Sequence, residues 1–509
     1  MSHHTLHNYK LIIAAIAVVL IFLFRFLERR DVKGGKNGLD FALALLALVA
    51  VFAYFDFGHY PKFGRFLNPH DFFHYYLGSK YSDELGYLNL YPCVIVASYE
   101  NNRELKHRTY RDMQDYSFKP AKDVISKAAQ YKAPFTETRW QEFRANVRFF
   151  EGFLGSRRWP GVVQDKGYNA TPVWNMTARY LTNLAPLRNS GYLRVLMLLD
   201  LALIAIMILL AQRAFGHRTA LFLLIFFCTC YSMSYTHCRG AFLRLDWVAL
   251  LVMTICMLKM GRYKTAGALM AYAGMARIFP LVFAFGIGAK FLWDIARTRR
   301  LDRKYVEFFA VFGLGAAALV LLSAYLDGGY DRWGDFFRKI SLHDNDISGM
   351  RVGFKYVFLM THKVTGGWSA FEQAQWDKLE RYRLLLWGIQ GAVLVLSFFL
   401  IRGLDDYEAL AYGFVPGFYL AAPTFYYQVM MIVPFMLFIP KRDRLSRAIG
   451  AAAMFVISIG LFLLDRKWTL DMTLCFIFSC MLMALTFYIM VVSLTATLAL
   501  SKESKPAQP

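Results

Sequence analysis

The sequence predicts an all-α, multi-pass membrane protein, and three observations carry that reading. Hydrophobic residues make up 57% of the chain and charged residues only 18%. The apolar residues fall in long, nearly uncharged blocks of the length that crosses a bilayer as a helix. The basic residues behind the net charge of +22 sit in short connectors between these blocks, as the positive-inside bias requires. Nucleic acid is therefore excluded as a partner, whereas membrane lipids with anionic headgroups are natural ones.

The first block, 11–24, runs into Arg25, Glu28, Arg29, Arg30 and Lys33 without a small-residue cleavage site. Residues 1–38 are accordingly read as a retained transmembrane helix with a basic connector. Further candidate spans follow this first one (9–26) at 39–57, 191–212, 219–236, 241–259, 264–275, 277–292, 305–326, 383–402, 408–421, 427–440, 447–464 and 470–497, about thirteen in all. Strict alternation then places the basic connectors 25–36, 213–218, 259–264, 290–304 and 441–447 and the 501–509 tail on one face, the cytoplasmic one. Residues 39–500 form the main transmembrane domain, with 58–190 and 327–382 as its outer segments. The alternation requires short helices broken near Pro280 and Pro423, and interrupted spans line cavities inside membrane proteins. Five of the seven cysteines (Cys228, Cys230, Cys256, Cys475, Cys480) lie within apolar spans, with Cys93 and Cys238 near the outer face. No disulfide framework and no CxxC metal motif results.

Segment 58–190 is far longer than an ordinary connector and is expected to carry its own helices. Apolar stretches 88–96 and 143–154, alternating with basic patches, suggest amphipathic helices lying on the bilayer surface and capping the outer face.

Chemistry is concentrated at that face. His70, Asp71, His74, Tyr75 and Lys80 follow the second span, and ionisable groups beside a bilayer are costly to keep without a role; Tyr residues also settle at such interfaces for packing alone. Asp83 and Glu84 offer a second pair of carboxylates. His237, Arg239, Arg244 and Asp246 surround the start of the fifth span, where Arg244 and Asp246 are expected to pair. His343, Asp344, Asp346 and Arg351 come from the second outer segment. Arg277, between two short helices, needs an anionic partner, either a lipid phosphate held through bidentate hydrogen bonds or a carboxylate such as Asp246. Tyr426, Tyr427 and Gln428, after Pro423, either line a sugar site or pack at the interface.

Three of these pieces together resemble the GT-C class of integral-membrane glycosyltransferases, and within it glycosyltransferase family 87, the polyprenyl-phosphate-mannose-dependent mannosyltransferases. They are the acidic residue in an aromatic first outer segment (His70-Asp71-Phe72-Phe73-His74-Tyr75-Tyr76), the element Ala276-Arg277-Ile278-Phe279-Pro280-Leu281 in a broken helix, and Pro423-Thr424-Phe425-Tyr426-Tyr427. They span about 360 residues in the expected order. The extra N-terminal span departs from the pattern, as does Arg239-Gly240-Ala241-Phe242-Leu243-Arg244-Leu245-Asp246, where many relatives carry a Gly-Gln-type element.

The resemblance implies a GT-C-like bundle that transfers a sugar, mannose or a related hexose, with inversion, from a polyprenyl phosphate to an acceptor hydroxyl. The acceptor is a glycolipid, glycan or protein, and the expected location is the bacterial inner membrane with the site on its extracytoplasmic side. Asp71 would be the base. Arg277, helped by Arg239, Lys80 or Arg351, would stabilise charge on the departing phosphate. His70 or His74 would orient Asp71 or bind the donor. No cofactor is expected, since the lipid-phosphate sugar is a co-substrate and no nucleotide-binding fingerprint occurs; no metal-ligating residues are singled out, and the metal requirement stays open. A lipid-linked-sugar flippase or other transporter, and a non-catalytic envelope assembly protein, are the alternative classes.

Overall fold

The computed structural model describes residues 2–30, 36–60, 62–234, 238–345, 347–359 and 368–503. His237 and Asp346 lie outside the described residues, as does the Asp344 side chain. Helix occupies most of each apolar block, and among the described residues eight helices are long and apolar enough to cross a membrane: His3–Arg29, Asn37–Tyr54, Ser190–Phe215, Phe279–Thr298, Arg303–Leu326, Arg383–Gly403, Leu445–Trp468 and Met472–Ala499. The chain is thus a membrane-embedded protein, all-α among the described residues apart from one small hairpin. Phe41, Leu314 and Leu384 are each more than 70% exposed on these helices, as side chains facing hydrocarbon are expected to be.

Shorter helices fill the interior. Asp246–Lys259 is buried on nearly every side. Tyr263–Ala276 packs along Arg303–Leu326, and His3–Arg29 along Leu445–Trp468. The basic connectors gather at one end of the bundle in ion-pair networks. There Glu28 meets Arg218 and Arg442, and Lys290 and Lys304 meet Asp406.

At the other end, segment 58–190 folds around its own aromatic core of Phe72, Phe73, Tyr76, Tyr91, Trp140, Phe143, Phe150 and Trp174. It does not supply surface-lying helices at 88–96 and 143–154. Leu90–Asn102 is buried continuously from Leu90 to Ser98. Glu137–Leu154 turns Trp140, Phe143, Val147, Phe150 and Leu154 inward, at the three- and four-residue spacing of one helix face, against the 69–80 and 90–102 helices. The apolar faces cover one another. A two-stranded antiparallel hairpin, Thr109–Arg111 with Phe118–Pro120, adds the one strand pair among the described residues.

Two interruptions position the site. The helix Tyr263–Ala276 stops at Arg277, whose backbone is extended (φ −147°, ψ 111°), because Pro280 cannot continue it. The chain breaks again at Ala421, also extended, and Thr424 forms an isolated antiparallel bridge with Arg351. Val352 donates its N–H to Pro423 and Phe425 donates to Met350. Both breaks open toward segment 58–190.

Candidate functional site

The central residue of the site is placed by a helix cap. Asn68 caps Pro69–Lys80, its side-chain oxygen accepting the Asp71 N–H at 3.0 Å. Asp71 therefore lies in the first turn, where the helix dipole favours a carboxylate. The Asn68 N–H in turn donates to the Gly240 carbonyl at 2.8 Å. Gly240 has φ +69°, and a Cβ there would stand 1.7 Å from the Phe66 carbonyl oxygen. This close approach brings the 238–245 loop against the cap and sets Arg244 Nε 3.2 Å from Asp71 Oδ1.

The loop is itself held from below. Asp200, on Ser190–Phe215, accepts the Arg244 and Leu245 N–H groups at 3.0 and 3.2 Å. Trp174 donates its ring N–H to the Leu243 carbonyl at 2.8 Å. Thr171 caps the Pro172–Asn183 helix and donates its hydroxyl to the Met275 carbonyl at 2.7 Å. Segment 58–190 is thereby fastened to the backbone just before Arg277.

These elements enclose a cavity of about 810 Å³. Its walls include His70, Asp71, His74, Tyr75, Arg277, His343, Arg351, Tyr426 and Tyr427, brought together from four separate stretches of chain, and also Arg244, Asp165 and Lys166. Arg277 lies over the Trp174 ring at 5.3 Å and donates weakly to the Ala276 and Leu243 carbonyls. Among the described residues no carboxylate oxygen lies within 4 Å of its guanidinium, so the Arg277–Asp246 pair does not form. Nor does the expected Arg244–Asp246 pair: Arg244 goes to Asp71, and Asp246 accepts the Trp247 N–H at the start of its own helix.

No protein-family model, curated protein or solved structure matches this chain. The chemistry of the cavity is therefore read from its own groups.

Burial pushes the Asp71 carboxyl up to about 6, outweighing Arg244 and Arg277, which act the other way. Its Oδ2 atom is buried without a hydrogen-bond partner, as are Arg244 Nη1 and Arg277 Nε. Burial drives His70 down to about 3, helped by its neighbour His74, and lowers His74 as well. Both imidazoles are thus neutral near pH 7. His74 shares its ring nitrogens with the His70 carbonyl (2.9 Å) and the Tyr91 hydroxyl (2.8 Å), so it braces the helix and does not orient Asp71.

Three expected site residues lie elsewhere. Lys80, at the far end of the 69–80 helix, pairs with Glu142 at 2.8 Å. Arg239 points to the opposite side of Gly240 and forms two hydrogen bonds to Asp56 at 2.9 and 2.8 Å. Gln428 is buried and donates to the Val352 carbonyl at 3.1 Å, which pins the break at 421–424. In each case a nearer protein partner takes up the side chain's hydrogen bonding. The second carboxylate pair is likewise committed, Asp83 to Arg179 and Glu84 to Arg139.

Arg244 and Asp200 shape the site through contacts that lie far apart in sequence: Arg244 reaches Asp71, and Asp200 holds the loop that carries Arg244. In sequence Arg244 stands two residues from Asp246, its expected partner, and Asp200 lies within the apolar block 191–212. An ionisable residue inside such a block was the available signal.

Proposed function

We propose that the chain is a GT-C-type hexosyltransferase, taking mannose or a related hexose from a polyprenyl phosphate and passing it to an acceptor hydroxyl at the extracytoplasmic face. The observation that carries this reading is Asp71, whose Oδ2 is a buried carboxylate oxygen without a partner, in the wall of a large cavity that Arg244 and Arg277 also line. A base and cations around one cavity, in a membrane-embedded chain, suit a substrate that is an anionic lipid.

In this mechanism Oδ2 takes the proton of the acceptor hydroxyl as its oxygen forms the new bond to the sugar's anomeric carbon. The bond from that carbon to the phosphate oxygen breaks on the opposite face, inverting the centre, and the phosphate leaves with the electron pair. Arg277 and Arg351 offset the charge that grows on it, an effect worth most where water is excluded. Arg244 holds Oδ1 and so aims Oδ2. The neutral His70 and the tyrosines at 75, 426 and 427 offer hydrogen bonds and ring faces to the sugar. Thirteen crossings, with the basic connectors cytoplasmic, complete the proposal.

The test is the glycolipid and glycan profile of native cells carrying the wild type, Asp71→Asn or a deletion, with membrane abundance checked. Accumulation of the same unextended acceptor in Asp71→Asn and the deletion, at normal abundance, supports transfer. A changed profile in the deletion alone removes Asp71 as base and favours translocation of a lipid-linked sugar.

A further inference from the structure

A second cavity, of about 350 Å³, lies between the first helix and the Leu445–Trp468 helix, separated from the Asp71 cavity by Phe425, which lines both. Its wall carries a side-chain set that the transfer mechanism does not use. His3 and His7 stand one turn apart on His3–Arg29, their rings 4.0 Å between centroids. Asp465 faces them from the neighbouring helix. One ligand atom from each of the three lies within 4.8 Å of the others.

The pair at the centre of this set is poorly explained as a hydrogen bond. His7 Nδ1 lies 3.4 Å from Asp465 Oδ2, yet it is buried with no hydrogen-bond partner, in a residue only 4% exposed. A buried, unsatisfied ring nitrogen is costly and calls for another partner. Ligand atoms about 2.1 Å from a tetrahedral ion stand about 3.4 Å apart, which is the separation of His7 Nδ1 from Asp465 Oδ2; the His3 ring nitrogen lies within 4.8 Å of both. The other Asp465 oxygen is fixed by the Tyr231 hydroxyl at 2.9 Å and the Leu470 N–H at 3.0 Å. Outer hydrogen bonds of that kind orient a metal-binding carboxylate.

We propose that His3, His7 and Asp465 bind a divalent transition-metal ion of the Zn²⁺ class. Two imidazoles and one carboxylate suit a borderline ion better than Mg²⁺ or Ca²⁺, which prefer all-oxygen shells. The three ligands leave a fourth tetrahedral position toward the cavity. Lys10 and Arg239 in the same wall share the single carboxylate of Asp56, so the surroundings carry surplus positive charge. That surplus weakens binding of a bare ion and selects an anion as its fourth ligand. The ion would clamp the first helix to the Leu445–Trp468 helix.

The experiment uses the full chain in detergent, purified without a polyhistidine tag, stripped with chelator and titrated with Co²⁺ as a spectroscopic probe and with Zn²⁺ for stoichiometry. The wild type is expected to bind one ion per chain with the visible absorption of four-coordinate Co²⁺. His7→Ala and Asp465→Asn should lose that signal. His3→Ala, which changes an exposed ring and keeps the fold, should weaken binding at least about tenfold. His70→Ala should leave it intact, which separates this site from His70, His74 and Asp165, the other trio of potential ligands among the described residues. Absence of a bound ion in the wild type, or wild-type binding in His3→Ala, overturns the proposal.

Discussion

Two buried aspartate–arginine pairs flank Gly240, and their difference separates a structural carboxylate from one available for chemistry. Asp56 is saturated: Lys10 donates to Oδ1 at 3.0 Å, while Arg239 spans both oxygens at 2.9 and 2.8 Å. Asp71 receives one guanidinium nitrogen, at 3.2 Å, and keeps Oδ2 free. Their acidities move apart. Burial raises both, but Lys10 and Arg239 together overcome it at Asp56 and hold that group below the ordinary carboxylate range. At Asp71 burial wins, and the carboxyl rises to about 6. A carboxylate with two cations is a poor proton acceptor, whereas one with a single contact and a raised pKa is suited to be a base.

Neutralising each aspartate gives the sharpest contrast. Asp71→Asn should reduce sugar transfer about 10²–10⁴-fold, the usual span of general-base catalysis, with little change in membrane abundance. Asp56→Asn leaves Lys10 and Arg239 without their counter-charge inside the protein, a loss of about 3–5 kcal/mol. It should appear as low abundance and a lowered melting temperature. Equal loss of abundance in both variants would collapse the distinction. The arginines should divide the same way. Arg277→Gln is expected to cost about 10²-fold in transfer with a smaller loss of abundance than Arg239→Gln, since among the described residues it forms no ion pair within 4 Å and acts on Asp71 and Asp246 only from a distance. Arg239→Gln, which strands Asp56, should lower abundance first.

Most of the bundle was readable because bilayer length and charge-free composition are one-dimensional signals. The breaks at Arg277 and Ala421 were readable from Pro280 and Pro423 for the same reason, since a proline acts on its own local backbone. The assignment of partners was not. Arg239 and Arg244 are five residues apart in one loop, and the left-handed residues between them, Gly240 and Leu243, let one reach Asp56 and the other Asp71. Lys80 shares a helix with Asp71, yet the 69–80 helix is long enough to carry it away to Glu142. The covered faces of 90–102 and 137–154 were misread because an amphipathic pattern shows that a face is buried and does not show against what.

The pH dependence sharpens the comparison further, because only one of the two pairs titrates in the accessible range. A base with a pKa of about 6 loses activity as pH falls through that value. Transfer at limiting substrate should reach a plateau above about pH 7 and lie roughly tenfold below it at pH 5. Stability moves in the opposite direction. A carboxyl whose folded pKa exceeds its unfolded value favours the folded state while protonated, and this contribution is lost as pH rises through about 6. Asp56, with its lowered pKa, contributes at neutral pH and loses that contribution only as the medium is taken below the ordinary carboxylate range. Between pH 5 and 7, melting temperature should therefore fall, through Asp71, as transfer rises. In Asp71→Asn this part of the melting trend should vanish together with the activity; a melting curve that keeps the wild-type slope would assign the titration to another group and leave Asp71 without its raised pKa.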